Sequence, residues 1–403
     1  MRIGLAVGTW APVGGSERYA LDVAHELGLA GDEVVVLRAG GDAPPPPGGR
    51  VESYAPLEGL FAREEDHPLG APEAGLEALG LEALFLVSSV APWVAQRLAR
   101  VAPLVRFVQD HTFFCPGLNK RRTDGSICTR PAPWACLPRA LTGGCLDLPT
   151  GRVGLRRVAG RARELARRGS AVSLVVASGY MAGELTAAGI PADRVRVLPY
   201  FTREQPDPTT PLREDCARFL ARQGERPMAL CAARLVPEKG VEFLLEGVAR
   251  VPGCCLVLAG DGPAREAIER AVQGHGLAER VHLTGWIDAP DLRALLRECR
   301  VSVMPSLWAE PFGIVGLEAM AAGRATIATA AGGALEWTAE GETGLLVPPG
   351  DIPALVSALG RLTEDAALAK RMGSAGSQRV ERLYRAPTHL AGLREILESA
   401  ANR

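Results

Sequence analysis

Two glutamates eight positions apart, Glu310 and Glu318, stand in the run Pro305-Ser306-Leu307-Trp308-Ala309-Glu310-Pro311-Phe312-Gly313-Ile314-Val315-Gly316-Leu317-Glu318-Ala319-Met320. A carboxylate in so apolar a stretch is unfavourable unless it is paired or liganded. A helix that begins near Gly313 would present free N–H groups and the positive end of its dipole to a phosphate. Glu318, inside that helix, could reach vicinal hydroxyls of a ribose. Glu310, just before it, could reach hydroxyls of a sugar. The competing account of each is a core glutamate held in a salt bridge.

Two cations sit upstream, in Ala233-Arg234-Leu235-Val236-Pro237-Glu238-Lys239-Gly240, between a strand and a helix. The carboxyl ends of strands are the usual ligand edge of an open parallel sheet. There Arg234, through its fork, and Lys239, as a point charge, can neutralise a diphosphate. Two solvated loop charges would look the same locally. Glycines recur at matching places: Gly260 and Gly262 before Pro263, Gly332-Gly333, and Gly344 before Leu345-Leu346-Val347. They permit close backbone approach to a ligand, although a plain strand–turn–helix asks for the same residues.

These residues must be carried by alternating strands and helices. In the first half Ile3 to Val7, Glu33 to Leu37, Leu84 to Ser88, Leu104 to Val108 and Leu174 to Ala177 are expected strands, and Gly14 to Leu29 a helix. In the second, strands are expected at Met228 to Cys231, Cys255 to Ala259, Val281 to Leu283, Val301 to Met304 and Thr326 to Ala328. Helices are expected at Glu238 to Val248, Ala264 to Gln273, Pro290 to Glu298 and Gly313 to Ala321, with two more, Ile352 to Leu362 and Thr388 to Ala400, ending the chain. Such alternation implies parallel sheets covered on both faces. A chain of 403 residues suits two domains. The proline-bearing stretch 203–215 is the expected linker. The expected division is a first domain at 1–202 and a second that begins at 203.

The net charge of −1 and the aromatic content of 5% argue against a nucleic-acid partner. No apolar run reaches the ~18 residues that cross a bilayer. The first residues read as a strand and not as a signal peptide, so the expected compartment is the cytoplasm.

The stretch from Ala233 to Asp351 resembles the donor domain of GT-B retaining glycosyltransferases, the group usually called family 4. The resemblance rests on Arg-Leu-x-x-x-Lys-Gly, Gly-Asp-Gly-Pro, the spaced Glu310 and Glu318, Gly332-Gly333 and Gly344-Leu345-Leu346-Val347. The loop Gly14-Gly15-Ser16-Glu17-Arg18 is similar to that family's first loop. The resemblance implies two Rossmann-like doubly wound α/β domains facing across a cleft, an acceptor-side domain, 1–202 completed by a C-terminal helix at 380–403, and a donor-binding domain, 203–379, with a nucleotide-sugar donor, UDP- or GDP-linked. Arg234 and Lys239 would bind its diphosphate, Glu318 the ribose and Glu310 the sugar. Backbone N–H groups near Gly14, Gly15, Phe312, Gly313 and Ile314, with Gly260 and Gly262, would complete the cradle, and Trp286 would border the base. In Gln109-Asp110-His111-Thr112-Phe113-Phe114-Cys115-Pro116 the family's usual histidine position is Gln109. His111, two places on, is expected to face the donor sugar.

The resemblance also implies retention of anomeric configuration. No Asp-x-Asp metal motif lies in a suitable loop, and the two cations can meet charge growing on the departing diphosphate. The expected reaction is therefore metal-independent hexosyl transfer to a glycan, lipid-linked or small-molecule acceptor, with no cofactor required for catalysis. Two other readings stay open. One is a nucleotide-sugar epimerase or a sugar-phosphate synthase, for which arginine in the Ser16-Glu17-Arg18 loop could hold an acceptor phosphate. The other is a non-catalytic donor-binding module, in which Glu310→Ala would leave turnover unaltered.

Four of the nine cysteines, Cys115, Cys128, Cys136 and Cys145, crowd a turn-rich segment. They could close around a structural zinc, pair as disulfides, or simply pack. Arg152, Arg156, Arg157, Arg161, Arg163, Arg167 and Arg168 line a helical stretch with apolar positions between them. Residues 152–168 could lie on an anionic membrane face, making the protein peripheral there, or present a solvated arginine face.

Overall fold

The computed structural model describes residues 1–58, 75–131, 133–167, 171–203 and 209–402; Arg168, Pro206 and Pro208 lie outside them. The chain divides into two compact units. Met1–Tyr200 and Ala386–Arg403 form the first, and Phe201–Arg385 the second.

The first unit holds a sheet of seven parallel strands: β1 (Arg2–Thr9), β2 (Glu33–Gly40), β3 (Arg50–Ser53), β4 (Ala83–Leu86), β5 (Leu104–Phe107), β6 (Ser173–Val176) and β7 (Val195–Val197), in the order β3-β2-β1-β4-β5-β6-β7. Its central strands are buried throughout, as in Ala83–Leu86 and Leu104–Phe107. The last helix, Ala386–Ala401, closes this unit, burying Leu390, Leu393 and Leu397. Arg394 binds Asp32 at 2.6 Å. His389 bridges the Pro199 carbonyl at 2.7 Å and the Tyr19 hydroxyl at 2.9 Å.

The second unit repeats the plan with β8 (Met228–Ala232), β9 (Cys255–Ala259), β10 (Val281–Gly285), β11 (Val301–Met304), β12 (Ala325–Thr329) and β13 (Gly344–Val347), ordered β10-β9-β8-β11-β12-β13, all parallel. Alternate residues serve opposite faces. Ala229, Cys231, Leu256 and Leu258 pack with Leu244, Val248, Leu355 and Leu359. Met228, Leu230, Cys255 and Val257 pack with Phe219, Leu292 and Leu295. Helices therefore cover both faces of this sheet.

The chain ends in three helices where two were expected, since Ala366–Leu383 lies between Ile352–Glu364 and Ala386–Ala401. Asp365 caps it, accepting from the Leu368 amide immediately after the preceding helix stops, so neither glycine nor proline marks the seam.

Candidate functional site

In the second unit β8 has β9 on one side and β11 on the other, so the winding reverses between β8 and β11. The loops leaving the carboxyl ends of these two strands flank a crevice of the kind where doubly wound sheets hold ligands. The loop after β8 carries Arg234 and Lys239, and the loop after β11 carries Glu310. They meet: Lys239 Nζ lies 2.6 Å from Glu310 Oε1.

Glu310 is 4% exposed. Ser306 Oγ, itself inaccessible, donates to Oε1 at 2.5 Å, and Thr329 Oγ1 ties down the Ser306 carbonyl at 2.6 Å. Burial alone would push the Glu310 carboxyl up. The Lys239 charge and hydrogen bonds from Lys239, Ser306 and Trp308 outweigh it and hold the group below its ordinary range. Lys239 also lies 5.5 Å from the centre of the Trp308 ring. Arg234 is exposed, and among the described residues its side chain makes no hydrogen bond or ion pair. The site thus holds an ionised carboxylate, a cation bound to it, and a second cation left free.

Glycine makes this convergence possible. A Cβ on Gly260 or Gly262 would lie 2.0 Å from the Ala233 carbonyl or 2.4 Å from that of Leu235. The Leu235 amide in turn donates to the Asp261 carbonyl at 2.9 Å. Gly240, at φ 67°, touches the Pro305 carbonyl, linking the two flanking loops. Gly332, at φ 65°, and Gly333 pack on the backbone of Glu310 and Pro311, and the Gly333 amide donates to the Glu310 carbonyl at 2.7 Å. The glycine pair supports the glutamate from behind.

The helix Ile314–Ala321 starts at Gly313, φ 101°, whose Cβ would strike Met304. Glu318 is buried on it. Sequence reasoning missed Trp337. Its ring is inaccessible and fills the space that Gly316 leaves, and its Nε1 donates to the Phe312 carbonyl at 2.7 Å. Trp337 follows Gly332-Gly333 by a few residues, which was the available signal. Trp286 is 57% exposed at the end of β10, where Gly285 accepts from the Gly260 amide.

Several expected contributors are placed otherwise. Phe312 is buried against Tyr384 with ring centres 6.0 Å apart, so its side chain belongs to the core and only its backbone could serve a ligand. His111 is in the first unit with no accessible surface. Its Nε2 lies 2.9 Å from the Tyr180 hydroxyl, and burial followed by the Lys120 charge pulls its pKa down to about 3. It is a neutral, buried histidine of the first unit. Gln109 and Asp110 are partly exposed; Asp110 caps the next turn through the Thr112 amide and accepts from Ser89 Oγ. Gly14 precedes the helix Gly15–Leu29 as an uncapped start, with Gly15 exposed.

The four clustered cysteines are unlinked. Among the described residues no three of their sulfurs come within 4.8 Å of one another. Burial raises the thiols, Cys115 to about 12 and Cys136 to about 11. Packing is the reading this geometry fits, and it departs from the zinc expectation. Asp215, Cys216 and His282 do cluster, but Arg213 already engages the Asp215 carboxylate at 3.1 Å, which leaves a cation poorly served. No helix among the described residues is long and apolar enough to cross a membrane.

A family profile described as glycosyl transferases group 1 matches residues 213–379. A 2-deoxystreptamine N-acetyl-D-glucosaminyltransferase of Streptomyces fradiae is 30% identical over 405 aligned positions, covering 92% of this chain and 89% of that protein. The chain belongs to the group 1 glycosyltransferases. An alpha-D-kanosaminyltransferase of Streptomyces kanamyceticus is 35% identical over 190 positions, 46% of this chain and about half, 49%, of its own length. Among solved structures, a sucrose-phosphate synthase from Thermosynechococcus elongatus superposes with a TM-score of 0.74 at 25% identity, covering 99% of this chain and 98% of that one. Two parallel-sheet α/β units of GT-B type are thus common to the family and this chain. The matched profile spans the whole Arg234–Lys239–Glu310 assembly.

Proposed function

We propose that the chain transfers a hexosyl or amino-hexosyl group from a nucleotide sugar to a hydroxyl-bearing acceptor, with retention and without a catalytic metal. The observation that carries this reading is the crevice of the second unit, where the Lys239–Glu310 pair sits beside the unpaired Arg234. A donor diphosphate would take Arg234 directly and share Lys239 with Glu310. Glu318 would hold the ribose and Trp286 would border the base, as expected from the sequence.

Breaking the glycosyl–phosphate bond leaves negative charge on the diphosphate and oxocarbenium character on the sugar. Lys239, held by Glu310 before reaction, and Arg234 beside it would meet that negative charge as it grows. Glu310, ionised and immobilised by Ser306 and Lys239, would accept hydrogen bonds from sugar hydroxyls. A phosphate oxygen of the leaving group would take the acceptor proton on the face the acceptor attacks. The names of the Streptomyces relatives support an amino-hexose donor. Incubation with UDP-, GDP- and ADP-sugars, with NMR of the product anomer, tests the reading. A retained anomer is expected; an inverted one, or donor conversion without transfer, would overturn it.

We further propose that the first unit rests on an anionic lipid surface. Trp134, Leu141 and Val153 are more than half exposed, and Arg152, Arg156, Arg163 and Arg167 are exposed on the adjoining helix Arg152–Ala166 and its end. Flotation with vesicles containing phosphatidylglycerol, but not with neutral ones, is expected. Equal recovery with both would refute the contact.

A further inference from the structure

The transfer reading leaves the acceptor's chemistry open, and a buried arginine in the first unit bears on it. Lys120-Arg121-Arg122 lie in the loop that leaves the carboxyl end of β5 through the turn at His111–Phe113. Lys120 is 3% exposed and binds Glu184 on the helix Gly179–Ala187, which follows β6. The Cys128 amide donates to the Lys120 carbonyl at 2.6 Å, and the Leu146 amide to the Arg121 carbonyl at 3.1 Å. This segment therefore lies over the carboxyl edge of β5 and β6, the edge on which such sheets receive ligands.

Lys120 has its counter-charge. Arg121 has none. It is 7% exposed, and its Nε and Nη1 are fully enclosed without a hydrogen-bond partner. No described residue supplies it an ion pair or a ring contact. Nη2 is the nitrogen left towards solvent. A guanidinium cannot shed its proton to escape burial, and a buried charge without a partner is among the most unfavourable features a fold can carry. The backbone beside it is also held in an uncommon state, with Leu118 at φ 66° and Lys120 at φ 50°.

We propose that Arg121 anchors an oxyanion site in the first unit, which takes a phosphate or carboxylate group of the acceptor. Nη2, the nitrogen towards solvent, would donate to an oxygen of either anion in a charge-assisted hydrogen bond. That the anion belongs to an acceptor rests on the transferase reading above; that an oxyanion binds does not.

The test uses the full chain carrying Arg234→Met, so that the donor crevice contributes no cation of its own beyond Lys239. Its melting temperature is followed against inorganic phosphate and, in a separate arm, acetate, with chloride at matched ionic strength. A saturable rise is expected in at least one arm, and the arm that responds says which group the acceptor carries. Adding Arg121→Met or Arg121→Gln should weaken the apparent affinity about tenfold or more. In chloride alone Arg121→Met should melt no lower than its parent, because an apolar side chain replaces an unpaired buried charge. No saturable rise with either anion, or the same rise in both Arg121 variants, would overturn the site. So would a fall in melting temperature of both variants in chloride, since the fold would then be satisfying the guanidinium itself. Nucleotide protection of the chain with Arg234 intact reads the donor crevice separately, so either conclusion can fall without the other.

Discussion

The two units share a strand order around their first strands, β3-β2-β1-β4-β5-β6 and β10-β9-β8-β11-β12-β13, yet their carboxyl edges carry different chemistry. In the second unit the loops after β8 and β11 bring Lys239 onto Glu310 and leave Arg234 free. In the first, the corresponding loops after β1 and β4 give a Gly8 amide bonded to Ser88 Oγ and a Ser89 hydroxyl on Asp110, and among the described residues no cation–carboxylate pair joins these two loops. The first unit also buries two neutral histidines, His111 and His389, as structural parts. Topology supplies the crevice in both units, while side chains decide what it can bind.

The sharpest way to break this contrast is at Lys239. Lys239→Met should lower kcat by about 10²–10³-fold if its charge stabilises the leaving diphosphate, while a matching change at Ser88 should leave the chemical step within a fewfold. Steady-state kinetics with the identified donor would show it, and equal losses would erase the distinction. Next in size is Gly332→Ala. It forces a Cβ against the Glu310 carbonyl, 2.2 Å away, at φ 65°, and should destabilise the second unit by about 1–3 kcal/mol while reducing activity. Denaturant melts of the variant with no loss would mean the loop relaxes freely.

A third prediction concerns acid. Burial lowers the folded-state pKa of His111 to about 3 and of His389 to about 4, from 6.5. The unfolded chain therefore takes up these protons first as pH falls below about 6.5. Stability is present above that value and drains away towards pH 4, by at most about 1.4 kcal/mol per pH unit for each histidine. Both belong to the first unit. Hydrogen exchange between pH 7 and 4.5 should show the first unit opening before the second. The smallest effect is expected from Arg234→Met. This exposed, unpaired side chain should change stability by no more than about 0.5 kcal/mol, although it weakens nucleotide binding.

Legibility in the sequence followed burial in most strands, although the buried β13, Gly344–Val347, was not among those expected. The buried runs of β9 and β11 carry continuous apolar residues, and their expected limits, Cys255 to Ala259 and Val301 to Met304, match the observed strands. The edge strands β3 and β7 are half-exposed and show no such run, so no strand was expected there. The helix after Lys239 was expected to begin at Glu238. A short turn at Pro237–Lys239 and a left-handed Gly240 delay it to Val241. The spacing of Glu310 and Glu318 was informative because a carboxylate among apolar residues requires a partner. The identity of that partner, Lys239, depends on a contact across 71 positions that no local pattern encodes. The burial of His111 was not legible either, because its sequence context resembles a ligand-facing histidine and its contact with Tyr180 comes from 69 positions away.

Nucleotide-dependent stabilisation of the intact chain tests the central claim most directly. One of UDP, GDP or ADP, or its sugar conjugate, should raise the melting temperature saturably, equivalent to about 2.7 kcal/mol at a hundred times Kd. Arg234→Met should lose most of that rise while melting normally without ligand. A full rise in that variant, or no response of the unaltered chain to any of the three nucleotides, would show that the crevice beside Lys239 and Glu310 is not where a donor is held.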